Sequence, residues 1–313
     1  MSIVFSRFAA NAIVERAGSR GCSQTTTIGP GQWVIAKDAE PTLRELGQRN
    51  DIIKRMHRAL DEHGIARGAA DYVLAGEAHT APIIGRLVER GLDNELYGTA
   101  YAVVDGVDGR THHIKLPDIE AAGDSAPGSI VELRAFEDAK GNRRVALATR
   151  SDLSIEAQTA ASGATWLDRQ LVARDPADLG GGFGLEVKQA MEARAGHLIQ
   201  EGMARRDGDR ILFNRNLIGT LRQRELDALG EKLAAESGMP FQKAAEGEYV
   251  AGTYRQRFAL ASGRFAMIDD GLGFKLVPWT PSIEKHIGQH ISGVARADGG
   301  VDWSFGRKRG LGL

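Results

Sequence analysis

The sequence is poor in cysteine, aromatic residues and net charge, and each shortage excludes something. A single cysteine, Cys22, leaves no partner for an internal disulfide, which fits a reducing cytoplasm. Lysine and arginine (40) almost balance aspartate and glutamate (41), so any contact with nucleic acid has to come from local patches, not a global positive field. No apolar run approaches the ~20 residues that a membrane-spanning helix needs, which argues against membrane insertion. Residues 1–8 contain no apolar stretch of the kind that marks a secretory signal. Hydrophobic residues make up 42% of the 313, and with near-zero net charge that excludes disorder as the dominant state. The length allows two or three ordinary modules. Aromatics at 6% against 39 glycines point to a turn-rich chain of small modules and not one large core.

Periodicity divides the chain. Phe5, Phe8, Ala9, Ala12 and Ile13 recur at helical spacing in a divergent N-terminal segment (residues 1–27), which is either a short amphipathic helix or an adventitious start. Residues 28–65 read as a strand, Trp33-Val34-Ile35, entering a helix. Asp38 would cap it, Glu40 and Pro41 sit in its first turn, and Leu43, Leu46, Ile53, Met56 and Leu60 form its apolar stripe. Residues 72–150 change to strand period: Ile83 to Val88, then Tyr101 to Val104 turning at Asp108-Gly109 into His112 to Leu116, then Ile130 to Ala135 paired with Arg144 to Ala148. About five short strands are most economically closed into a small SH3-like or oligonucleotide-binding (OB-like) β-barrel, because closure removes exposed edges.

Residues 165–238 are helical again. Leu167, Leu171 and Val172 belong to one helix, and Val187, Met191, Ala195, Leu198 and Ile199 to a second. Gly202 stops it, Asp207-Gly208-Asp209 turns the chain into Arg210 to Phe213, and another helix follows, the order of a winged helix-turn-helix. Gly31-Gln-Trp-Val-Ile before Thr42-Leu43-Arg44 is weakly echoed by Gly208-Asp-Arg-Ile-Leu before Thr220-Leu221-Arg222, as two related wing-plus-helix units. Residues 247–313 return to strands, with a hairpin at Asp270-Gly271, a short helix carrying His286 and His290, a last hairpin at Asp298-Gly299-Gly300, and a basic tail. The expected fold class is therefore multi-module α+β, with small β-barrels alternating with winged helix-turn-helix units.

Between residues 201 and 224, Arg205, Arg206, Arg210, Arg215, Arg222 and Arg224 face only Glu201, Asp207 and Asp209. The segment is either a wing and helix that meet phosphates or a solvated charged face. Arg307-Lys308-Arg309 is either a phosphate-binding arm, a recruitment signal or a solubilising tail. His112 and His113, adjacent in a strand, point to opposite faces and do not suit one metal ion. His286 and His290 lack a carboxylate or cysteine partner, so no metal site is assigned. Gly180-Gly181-Gly182-Phe183-Gly184 lacks the Lys-Ser/Thr of a phosphate loop and reads as a flexible linker. Tyr249, Tyr254, Phe265, Phe274, Trp279 and Trp303 suit either a base-stacking platform or, better, a small-barrel core.

Four stretches carry a resemblance: Leu260 to Trp279 (LASGRFAMIDDGLGFKLVPW), Thr165 to Leu171 (TWLDRQL), Tyr101 to Gly106 (YAVVDG) and Val301 to Gly310 (VDWSFGRKRG). From about residue 28 to 313 the chain is similar to the C-terminal, non-nuclease region of conjugal-transfer relaxases, the mobilisation nucleases of proteobacterial plasmids and integrative elements. Relaxases of this kind nick DNA with an N-terminal tyrosine and a metal held by a His-x-His cluster, which this chain lacks. No catalytic residue and no cofactor is therefore carried across. The resemblance implies a cytoplasmic, noncatalytic accessory half that holds DNA near a transfer origin or presents it to relaxosome or type IV secretion proteins. Its competitors are a protein-interaction scaffold without DNA contact, a nuclease or phosphotransferase with an unrecognised site, and a decayed fragment.

Overall fold

Apolar side chains three and four residues apart build the first long element. A computed structural model describes residues 25–29, 32–35, 39–74, 82–138, 140–297 and 299–305. Cys22, Asp38, the helix expected near Phe5 and the Arg307-Lys308-Arg309 tail lie outside the described residues. Contacts divide the chain into two compact units, residues 1–74 and 75–313.

In the first unit, strands β1 (Thr25–Gly29) and β2 (Gln32–Ile35) pair antiparallel, and helix α1 (Ala39–Glu62) follows. Met56, Ala59 and Leu60 are fully buried, while Leu43, Leu46 and Ile53 of the expected stripe are half-buried. Glu40 favours the helix start and pairs with Arg44 one turn on, at 2.8 Å. Gly64, at φ +65°, ends the helix in a conformation that costs other residues more. A 3₁₀ turn (Ala69–Asp71) then leads to the two-residue strand β3 (Tyr72–Val73).

The second unit opens with the five expected strands, β4 (Ile84–Asn94), β5 (Thr99–Gly106), β6 (Thr111–Leu116), β7 (Ile130–Glu137) and β8 (Arg143–Ser151). They run antiparallel in the order β6-β5-β4-β7-β8. Leu87, Ala102, Val104, Ile114, Val131 and Leu147 fill the core on one face. The expected closed barrel is corrected to an open sheet: among the described residues no pairing joins β6 to β8. A loop does part of the work that closure would have done. The Ala121 carbonyl accepts from Leu147 N of β8 at 2.8 Å, so that edge is blocked without a strand.

Helices α2 (Ile155–Thr159), α3 (Trp166–Val172) and α4 (Phe183–Gln200) bury Ile155, Trp166, Leu167, Phe183 and Val187 together. Thr165 and Asp168 form a reciprocal capping box at the start of α3. Gly202, at φ +68°, ends α4, and the hairpin β9 (Ala204–Asp207) to β10 (Arg210–Phe213) turns through Gly208. Helix α5 (Leu217–Ser237) follows, so both the first unit and this segment place a hairpin before a long helix. Leu217 and Leu221 pack with Leu198 and Ala204, while Leu226, Leu229 and Leu233 cover Met267, Phe274 and Leu276 of the last sheet.

That sheet comprises β11 (Tyr249–Leu260), β12 (Gly263–Asp269), β13 (Phe274–Pro278), β14 (His290–Ala295) and β15 (Val301–Ser304), in the order β13-β12-β11-β14-β15. Helix α6 (Pro281–Glu284) is shorter than expected. His286 lies beyond it, 4.4 Å from the ring of Phe305, and His290 opens β14. The two histidines therefore do not share a helical face. Tyr254, Phe265 and Phe274 are core residues and Tyr249 is exposed, so these aromatics are mostly packing groups. The glycine run at 180–184 is no flexible linker. Gly180 N donates to Val107 O at 2.8 Å, and a Cβ on Gly180 or Gly184 would strike the backbone of Asp108 or Val107.

Candidate nucleic-acid interface

Strand register decides which arginines of the basic segment act together. Arg210 faces Asp207, Ile211 faces Arg206, Leu212 faces Arg205 and Phe213 faces Ala204. Directly opposed residues share a face. Ala204, Ile211 and Phe213 pack toward the helices, so Arg205 and Arg210 stand together on the outer face with Leu212 and Asp207, and Arg206 is on the other. Arg215 is exposed just before α5, where Asn216 takes a left-handed conformation at φ 62°. Among the described residues Arg205, Arg206, Arg210 and Arg215 make no ion pair. Most other surface arginines do, as at Arg134–Glu132, Arg144–Asp138 and Arg255–Asp269.

The rest of the sequence string points elsewhere. Arg224 pairs with Glu201 at the end of α4, at 3.5 Å. Arg222 lies on the opposite side of α5, where its guanidinium comes within 3.6–3.9 Å of the place a Cβ on Gly299 would occupy. The six arginines therefore do not form one continuous face.

Beneath the helices lies a polar knot that sequence reading missed. Arg194, fully buried on α4, donates to both Asp168 oxygens at 2.8 Å and to the carbonyls of Ala161 (2.5 Å) and Gly163 (3.0 Å). Its position seven residues after Val187, on the apolar stripe, was the available signal. The pair holds α3 against α4 and thereby fixes the base of the hairpin. Close by, Arg169 donates to the Ser262 carbonyl at 3.2 Å. Burial, then the neighbouring Arg222 and Arg150, push its pKa down, with Asp168 pulling the other way.

His112 and His113 are both buried. His112 Nε2 is 3.0 Å from Asp108 Oδ2, and the Asp108 carboxyl lies below its usual range: burial opposes the shift, and the His112 contact and the Arg110 N–H outweigh it. His113 stacks on Tyr101 with ring centroids 5.6 Å apart, and the Tyr101 hydroxyl donates to Glu89 at 2.7 Å.

In the first unit, a cavity of about 470 Å³ is lined by His57, Asp61, Arg67 and Tyr72 among others. The Tyr72 hydroxyl lies 2.9 Å from His57 Nδ1. Burial, then Asp61 and Asp71, raise the Tyr72 pKa. Among the described residues no group of three or more His, Cys, Asp or Glu is placed to hold a metal ion. Among them also, no helix is long and apolar enough to cross a membrane.

Comparison with known proteins gives one family. A family model described as "Protein of unknown function (DUF3363)" matches residues 23–140 and 133–312. No curated protein and no solved structure shows significant similarity to the chain.

Proposed function

With the chain a member of the family described as "Protein of unknown function (DUF3363)", we propose that it is the noncatalytic accessory half of a conjugative relaxase and binds DNA during mobilisation. The observation that carries this reading is the pair Arg205 and Arg210, diagonal neighbours on the outer face of the β9–β10 hairpin and, among the described residues, without an ion pair. In this reading residues 165–238 act as a winged helix. Helix α4 lies before the wing with Lys188 and Gln189 outward, and the hairpin arginines meet backbone phosphates. Relaxosome or type IV secretion proteins would engage other surfaces. The relaxase link itself rests on the four sequence stretches quoted above.

The test is binding of the purified chain to labelled duplex and single-stranded DNA across a salt series. Binding at low salt that weakens steeply as salt rises supports the reading, and absence of binding at low salt removes it. The noncatalytic part is tested separately, by incubation with supercoiled DNA and magnesium, manganese or zinc. Nicking that is lost in Tyr72→Phe would overturn it, since Tyr72 sits beside His57 in an open cavity.

A second reading, a scaffold that recruits transfer proteins without touching DNA, is favoured by the β4–β5 tip. There Leu96 is 91% and Tyr97 80% exposed, an apolar pair that a partner protein would cover. Capture of transfer proteins that survives nuclease treatment and fails in Leu96→Ser would support it over the DNA reading.

A further inference from the structure

The turn from β11 to β12 gathers groups from three distant parts of the second unit. Glu225 of α5 accepts from Ala261 N and Ser262 N, both at 2.9 Å, and Ser262 Oγ accepts from Ala164 N at 2.9 Å. Arg169 of α3 donates to the Ser262 carbonyl at 3.2 Å. Arg222 precedes Glu225 by one helical turn and so projects on the same side of α5. Arg150, near the end of β8, stands two residues before Asp152, and Asp152 holds Arg264, two residues beyond Ser262, at 2.5 Å.

Among the described residues, the acidic groups beside this cluster are already engaged. Asp168 is taken by Arg194 and the Thr165 cap, Glu225 by two backbone N–H groups, and Asp152 by Arg264. Arg150 leans on Glu132. Among the described residues neither Arg169 nor Arg222 makes an ion pair, and Arg169, partly covered, keeps some of its surface open to solvent. Burial first, and then repulsion from Arg222 and Arg150, lowers the Arg169 pKa, with Asp168 opposing. A bound anion relieves that repulsion, and planar guanidinium forks match the oxygens of a phosphate.

We propose that Arg169 and Arg222, flanked by Arg150, form a phosphate-recognition subsite at the Ser262 turn, distinct from the Arg205–Arg210 pair on the wing. The assignment of its phosphate to a nucleic-acid backbone rests on the DNA-binding reading above, while the phosphate chemistry stands on the arginine cluster itself.

Thermal unfolding of the full chain, at constant ionic strength with chloride replaced by inorganic phosphate or pyrophosphate, tests the chemistry. The wild type and a control, Arg174→Gln, rise in Tm, and Arg169→Gln and Arg222→Gln lose most of that rise. Arg169→Lys retains part of it, which separates lost charge from misfolding. Anisotropy with duplex and single-stranded DNA identifies the source: each glutamine variant binds several-fold more weakly, with a log–log salt slope reduced by about 1. A phosphate-dependent rise that is equal in wild type and both variants overturns the subsite. A rise that depends on the arginines in a chain that binds no DNA upholds the subsite and removes the nucleic-acid reading instead.

Discussion

Removing one partner of the Arg194–Asp168 pair should be among the most damaging single changes outside the hydrophobic cores. Both side chains are fully buried, and Arg194 makes four hydrogen bonds, two to Asp168 and two to the carbonyls of the α2–α3 connection. Arg194→Met leaves a buried carboxylate with only Thr165 N and Oγ1 as donors and orphans two carbonyls. Asp168→Leu leaves a buried guanidinium without its counter-charge and also removes the α3 cap. Breaking a buried pair in this way costs about 3–5 kcal/mol. The double variant removes both charges, so its loss should fall well short of the sum of the two, a coupling of about 1–3 kcal/mol. Because a chain of several modules need not unfold in one step, amide hydrogen exchange over α3 and α4 is the appropriate assay, read against exchange in β11–β13 as an internal reference. Single losses below about 1 kcal/mol, or strict additivity in the double variant, would refute the reasoning that this pair ties α3 to α4.

Gly184→Ala should destabilise the chain by about 1–3 kcal/mol, because its Cβ would overlap the Val107 carbonyl; amide hydrogen exchange over α4 measures it, and a neutral result would mean the glycine run does not pack as described. Phe183→Ala, which empties a fully buried site under the Arg86 guanidinium, should cost about 3–5 kcal/mol in the same assay. Hydrogen bonds from the Asn142 N–H, the Arg144 side chain and the Lys140 N–H hold the Asp138 carboxyl at about 2, below its ordinary value. Its contribution to the β7–β8 turn is therefore complete above roughly pH 4 and lost as pH falls through the folded value. Carboxyl resonances followed by NMR should give Asp138 a midpoint near 2, and a midpoint close to 4 would contradict the turn geometry.

Much of the strand content was legible because its signals are local. The short apolar run Tyr101 to Val104 and the Asp108-Gly109 turn mark β5 and β6, and Asp207-Gly208-Asp209 marks the hairpin before α5. What failed to show was long-range. Barrel closure is the economical expectation because it removes exposed edges, and here the Ala121 carbonyl, from a loop, takes part of that role at β8. The glycines at 180–184 read as flexible because composition does not distinguish freedom from close approach, and Val107 and Asp108 come from more than 70 residues earlier. No local signal in the sequence ends the short helix at Glu284, so an expectation that His286 and His290 share it fails. Arg169 carries no local mark at all. Its neighbours Arg150, Arg222 and Ser262 lie up to 93 positions away, so only the fold brings them together.

The central claim is tested most directly by the salt dependence of DNA binding in the Arg205→Gln/Arg210→Gln double variant beside the wild type. If the outer face of the hairpin meets phosphates, the wild type binds at low salt and the double variant loses about 2 from the log–log slope, with weakening similar across sequences. Equal slopes in the two proteins, or a wild type that does not bind, would contradict it.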